Sequence, residues 1–237
     1  MSYTTADPES PGRREVCHMK TKYPTPNGFG RWRSLVLAAM SVLILVVVMA
    51  VYGGRSSAAS YYGISGYVDH NPAFPGQVQD YMCGARSYDT SGGYNHQGVD
   101  YFLWPFAWNK MAAGDVTIVA AAPGVIVNKS EGNPDHSCSF NSNKWNAVYV
   151  RHADGSIAWY GHMKQGSVTT KAIGATVETG EYLGLVGSSG NSTGPHLHLE
   201  LHDAAYQLND PYAGSCNPST AVSWWKVQRP YNDSAVN

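Results

Sequence analysis

Charge is scarce in this chain. Only 14% of its 237 residues are Asp, Glu, Lys or Arg, and the formal net charge is -1. A soluble domain ordinarily carries about a quarter. No basic field is available for a nucleic-acid backbone, so a nucleic-acid partner is not expected. Cysteine is also sparse, with four residues and no Cys-x-x-Cys, which argues against a thiolate zinc site. Apolar residues at helical spacing are missing after residue 52, and their absence argues against a helical bundle. A chain disordered throughout is argued against by what is abundant: 43% hydrophobic residues, 16 Tyr and 7 Trp.

The near-zero charge hides an asymmetry. Residues 1–33 carry six Lys/Arg against three acids, and residues 56–237 carry nine against fourteen. Between them, Ser34–Tyr52 is a run of nineteen residues without a charge. As a helix it would span roughly 28 Å, close to a bilayer core of about 30 Å. Arg31 and Arg33 precede it, so the rule that positive flanks stay inside puts the N-terminus in the cytoplasm and the rest outside. Two readings stand: a retained membrane anchor, or a signal segment cut after Ala59, where Ser57 and Ala59 are suitably small. Residues 1–33 read as a disordered cytoplasmic tail, 34–52 as the transmembrane or signal segment and 53–80 as a linker or extended arm. The domain proper is expected over 81–216, and 217–237 as a C-terminal extension whose Trp224 and Trp225 pack on something.

Within the domain the pattern is β. Val116–Ala121, Gly124–Lys129, Ala147–His152, Ser156–His162, Tyr182–Val186 and His196–His202 read as strands. Pro123-Gly124 and Ala153-Asp154-Gly155 read as turns. The expectation is an all-β antiparallel sheet forming a groove, with long inserted loops at Tyr101–Asp115 and Ser130–Lys144. The first carries Tyr101, Phe102, Trp104, Phe106 and Trp108, either as a groove wall or as a loop packed on its own aromatics. Outside the membrane one disulfide is expected among Cys83, Cys138 and Cys216, with Cys138–Cys216 favoured and one thiol left over.

Chemistry concentrates in three stretches. His196-Leu197-His198-Leu199-Glu200-Leu201-His202 alternates strictly, so in a strand the three Leu face a core and the four polar side chains share the other face. Neighbours on that face lie roughly 6–7 Å apart, close enough for one His to hold a metal while the next reaches a substrate. His96-Gln97-Gly98-Val99-Asp100 sets a His and a carboxylate four residues apart around a glycine. Trp159-Tyr160-Gly161-His162 ends a strand in a His. Two His and one carboxylate leave zinc an open position for water, as catalytic sites do. Further His are then available for proton transfer. Glu200 reads either as a group orienting a ligand or as a surface side chain. His18, His70, His136, His152 and His202 have no motif support.

His96-x-x-x-Asp100, Tyr160-Gly161-His162 and Gly190-Asn191-Ser192-Thr193-Gly194-Pro195-His196-Leu197-His198 resemble, in order, the signatures of the lysostaphin-type (LytM-like) zinc metallopeptidases, which are peptidoglycan endopeptidases. The resemblance runs from about Tyr94 to Leu201. It implies His96, Asp100 and His198 as Zn2+ ligands and His162 and His196 as catalytic residues. It also implies a peptidoglycan peptide substrate and a place in the cell envelope outside the cytoplasmic membrane. Met163 stands where the family often has Leu. A secreted protease acting on proteins and a non-catalytic envelope or division regulator are the competing readings, and ligand loss would mark the latter. No protein partner is indicated.

Overall fold

The computed structural model describes residues 62–231. The 1–33 tail and the 34–52 segment lie outside the described residues. Among the described residues no helix is long and apolar enough to cross a membrane.

Among the described residues, ten strands and one short helix follow in order: β1 Tyr62–Gly66, β2 Val99–Leu103, α1 Ala107–Ala113, β3 Thr117–Val119, β4 Gly124–Ser130, β5 Ala147–Arg151, β6 Ile157–Gly161, β7 Thr176–Val177, β8 Tyr182–Leu185, β9 His196–His202 and β10 Leu208–Asn209. The main sheet runs β1-β2-β9-β6-β5-β4-β7, with β10 also paired to β9, and every pairing is antiparallel. β3 and β8 form a separate two-stranded sheet. The expected antiparallel β domain is therefore present, and each of the six strands read from the sequence coincides with an observed one to within two residues.

Alternation sorts the strands' side chains. Ile126, Val148, Val150, Ala158, Tyr160, Leu199 and Leu201 point to one face and bury against Ile118, Leu183, Val186 and Met163. Each fully buried aliphatic side chain contributes about 1.5–3 kcal/mol. The opposite face of β9 carries His198 and Glu200.

Three features depart from the sequence reading. Packed residues extend beyond 81–216 on both sides. The stretch read as a linker or arm supplies β1, whose Ile64, together with Tyr67, packs against Tyr81, Val99 and Tyr212. Their rings meet at 4.8 Å (Tyr67–Tyr81) and 5.2 Å (Tyr81–Tyr212). Trp225, in the extension, packs on both cores as expected.

The disulfide is Cys83–Cys216, not Cys138–Cys216, and no described cysteine is left as a free thiol. Cys83 is carried to Cys216 because Tyr81 and Tyr212 pack together, and Cys216 N–H donates to Tyr81 O at 2.9 Å. Spacing along the chain held no trace of that contact. α1 is the third departure. It has only two turns and one buried residue, Met111, so no apolar periodicity announces it. Gly114 in the left-handed region ends it, and Lys164 Nζ donates to the last carbonyls, Met111 O at 2.7 Å and Ala112 O at 3.1 Å.

The bond between Cys83 and Cys216 closes a loop spanning 133 positions. Replacing both by Ser is expected to cost about 2–4 kcal/mol of stability. Thermal unfolding without reductant checks the loss, and peptide mapping by mass spectrometry checks the pairing. Recovery of a Cys138–Cys216 peptide would contradict the fold described.

Candidate metal centre

The centre is built by strand register. Asp100 of β2 lies opposite His198 of β9, and Gly161 of β6 faces His198 from the other side. Directly paired positions on one face hold their Cβ atoms about 5 Å apart. The three motifs, far apart in the chain, thus meet on adjacent strands. His96 enters just before β2. Its Nδ1–H donates to Tyr67 O at 2.7 Å, which turns a bare Nε2 inward, and Tyr88 stacks on its ring at 4.3 Å.

Gly98 provides room. A Cβ there would lie 2.5 Å from the His198 ring and 2.9 Å from Leu199 O. Gly161 is required for the same reason, since a side chain would enter the Trp145 ring.

His96 Nε2, Asp100 Oδ1 and His198 Nδ1 converge. The separations are 3.2 Å (His96–Asp100), 2.9 Å (His198–Asp100) and 3.3 Å (His96–His198). All three side chains are buried, and together they form a set that could hold a metal ion. Three facing electron-rich atoms away from water require a cation or a proton between them. In the metal-free protein a proton serves. Burial pushes His198 down, but hydrogen bonds to Asp100 and Glu200, with their charges, hold it at about 9. Burial also opposes ionisation of Asp100, yet the nearby charges of His196 and His96 and the hydrogen bond from His198 keep its carboxyl well below the usual range.

Glu200 is no surface residue. It is buried, accepts from His198 Nε2 at 3.2 Å, and bonds His202 Nε2 at 2.6 Å. His202, without motif support in the sequence, in turn stacks on Trp159 at 4.4 Å. A carboxylate behind a His fixes its tautomer and orientation.

The structure brings both remaining motif histidines to the same point. His162 adopts φ 57°, a rare conformation for a residue with a Cβ. Its Nδ1–H donates to Ser189 O at 2.7 Å. His196 Nδ1–H donates to Gly194 O at 2.8 Å. Both rings are thus pinned by backbone carbonyls and present Nε2 to the centre, with centroids 4.6 Å apart. His196 Nε2 is buried and lies 3.4 Å from Asp100 Oδ1, near enough to feel its charge but without the alignment of a hydrogen bond. Burial, then the charges of His196 and His198, hold His162 well below the ordinary imidazole value.

Two hollows of about 500 and 480 Å³ flank the centre and share Tyr88, Phe140 and Asn191. Tyr94, Trp145 and Tyr149 line the first, while Phe102 and Trp108 line the second. The aromatic insertion therefore divides its roles: Phe102 and Trp108 wall the groove, Tyr101 packs on the cores, and Phe106 faces solvent. Sequence reading missed Tyr88 and Trp145, the latter 5.2 Å from His162 and 5.8 Å from His198. Lone aromatics outside any motif give no signal in a chain this rich in them.

In metal-free protein, nitrogen NMR should find His198 titrating near 9, and Glu200→Gln should lower it by removing a facing charge. A wild-type value at or below the unperturbed 6.5 would contradict the hydrogen-bonded arrangement.

Comparison with known proteins agrees with this geometry. Residues 94–211 match the family described as Peptidase family M23. Over 114 residues the chain is 37% identical to the DD-carboxypeptidase/endopeptidase Mpg of Neisseria meningitidis, covering 48% of this chain and 21% of that protein. Over 106 residues it is 36% identical to the peptidoglycan DD-endopeptidase ShyC of Vibrio cholerae, covering 45% and 20%. The chain thus spans about a fifth of the length of the curated relatives it matches. Among solved structures, the catalytic domain of lysostaphin from Staphylococcus simulans aligns over 65% of this chain and 90% of its own, at 24% identity and a TM-score of 0.39. The stretch similar to Peptidase family M23, residues 94–211, contains all five motif side chains.

Proposed function

We propose that this protein is a zinc-dependent endopeptidase that hydrolyses peptide bonds of bacterial peptidoglycan in the cell envelope, outside the cytoplasmic membrane. The observation that carries the reading is the convergence of five side chains on one buried point. Three offer electron pairs in a ligand triangle, and two aim Nε2 beside it. Regulators that lack catalysis would be recognised by ligand loss, and no motif residue is lost here. The names of the relatives point to the DD-peptide linkage as the bond cut.

The triangle suits zinc. Ligand bonds of about 2.0–2.1 Å in a tetrahedron place neighbouring ligand atoms about 3.3 Å apart. The observed 2.9–3.3 Å needs little adjustment. His96, Asp100 and His198 would hold the ion, leaving one position open. When bound, zinc polarises the scissile carbonyl and lowers the pKa of water toward 7.

The chain's own residues do the rest. The two hollows seat the peptide on either side of the bond. His162 or His196 accepts a proton from the attacking water at Nε2 and returns it to the departing nitrogen as the C–N bond breaks. The other of the two rings stabilises the developing oxyanion. Their carbonyl-bound Nδ1 atoms keep both rings in the required tautomer.

Zinc must displace the His198 proton, so binding is expected to strengthen about tenfold per unit as pH rises toward 9 and then level off. Calorimetry in buffers of different ionisation heat reads the released proton, and no release at pH 7 would contradict the assignment. His198→Ala should carry no zinc. His196→Ala and His162→Ala should retain about one ion per chain and lose on the order of 10²–10⁴ in rate. Mass spectrometry of fragments released from purified peptidoglycan tests the activity itself. Defined muropeptides should appear with the wild type and not with His196→Ala. Zinc-loaded wild type that releases nothing would overturn the reading.

A further inference from the structure

Strand β9 has a second face. Leu197 and Leu199, alternating with the motif histidines, line a cavity of about 450 Å³ on the opposite side of the sheet. Val119, Val227 and Arg229 also line it, and Tyr62 lies at its edge. Apolar side chains are exposed around its mouth: Val227 is 81% exposed, Tyr62 47% and Val119 43%. The segment that forms one wall, Ala221–Tyr231, adds Val222 at 82% and Trp224 at 41% exposure, interleaved with Lys226 and Arg229. Monomeric proteins rarely leave such a cluster in water without a partner.

We propose that this cavity and its rim are a docking surface for the outer face of the phospholipid bilayer. Two observations favour that occupant. Aromatic, aliphatic and basic side chains in one short segment match the composition of the membrane interface, where Trp sits at headgroup level and Lys and Arg reach the phosphates. Position is the second. Tyr62 stands on the cavity edge, and only nine residues, 53–61, separate it from the apolar run Ser34–Tyr52. Fully extended, they reach roughly 30 Å. If 34–52 anchors the chain, the patch cannot travel far from the lipid. Docking by this face turns the groove away from the membrane, toward the wall, because His196 and His198 point opposite to Leu197 and Leu199. The inference rests on the anchored form of the envelope reading, not on catalysis.

The test uses the full chain in vesicles of phosphatidylglycerol and phosphatidylethanolamine, some with brominated acyl chains that quench tryptophan. Flotation after alkaline washing reports the anchor. Quenching should fall roughly twofold in Trp224→Phe/Trp225→Phe, the other tryptophans providing a constant background. Val222→Asp/Val227→Asp, at two exposed positions, should reduce it similarly while leaving peptidoglycan hydrolysis in detergent unchanged. A chain that floats but is quenched alike in all three forms overturns the docking surface and leaves the anchor standing. A chain that does not float removes the anchor and the proposal together. Reduced quenching accompanied by dissociation of a dimer would assign the patch to a second copy and overturn it too.

Discussion

The site depends on one constraint, the register of three neighbouring strands. β9 lies between β2 and β6, and its pairing sets Asp100 on one side of His198 and Gly161, with His162 next to it, on the other. Backbone hydrogen bonds fix these positions before any metal is involved. Slipping β2 by one residue would send the Asp100 carboxylate to the apolar face and leave His198 facing Tyr101 or Val99. The large apolar investment on the back of the sheet penalises such a slip, so the core enforces the chemistry in front of it. Fold stability and ligand geometry are consequences of a single alternation.

Preorganisation continues in the groups behind the reacting atoms. Each of the four histidines near the centre has one nitrogen engaged by a fixed acceptor: Tyr67 O, Ser189 O, Gly194 O or the Glu200 carboxylate. Three of those acceptors are backbone carbonyls, which cannot be altered by changing a side chain. The remaining nitrogen is thereby committed to the centre. This arrangement explains why loops with little regular structure, such as 187–195, are tolerated beside a site that demands tight geometry. Their carbonyls serve as orienting groups.

Much of this was legible in the chain because its carriers are local patterns. Strict alternation in His196–His202 gave both the strand and its two faces, and Val- and Ile-rich runs located most of the sheet. Five site residues lay within three short motifs. What escaped reading depends on distant contacts. Cys83 meets Cys216 only because tyrosines far apart in the chain pack together, so counting thiols could not choose the pair. β1 pairs with β2 across more than thirty intervening residues. Glu200 looked ambiguous because burial, which distinguishes an orienting carboxylate from a solvated one, is a property of neighbouring strands. Tyr88 has no spacing rule at all.

Gly98 carries a lesson about inventory. Its hydrogen occupies the space on which the His198 ring rests, with Leu199 O close behind. One added methyl group would dislodge that ring while every ligand remained in the sequence. A descendant of this chain could therefore lose the ligand triangle without altering His96, Asp100, His198, His162 or His196. A crowded glycine would mark such a loss as readily as a missing histidine, and a census of metal-binding letters would not see it.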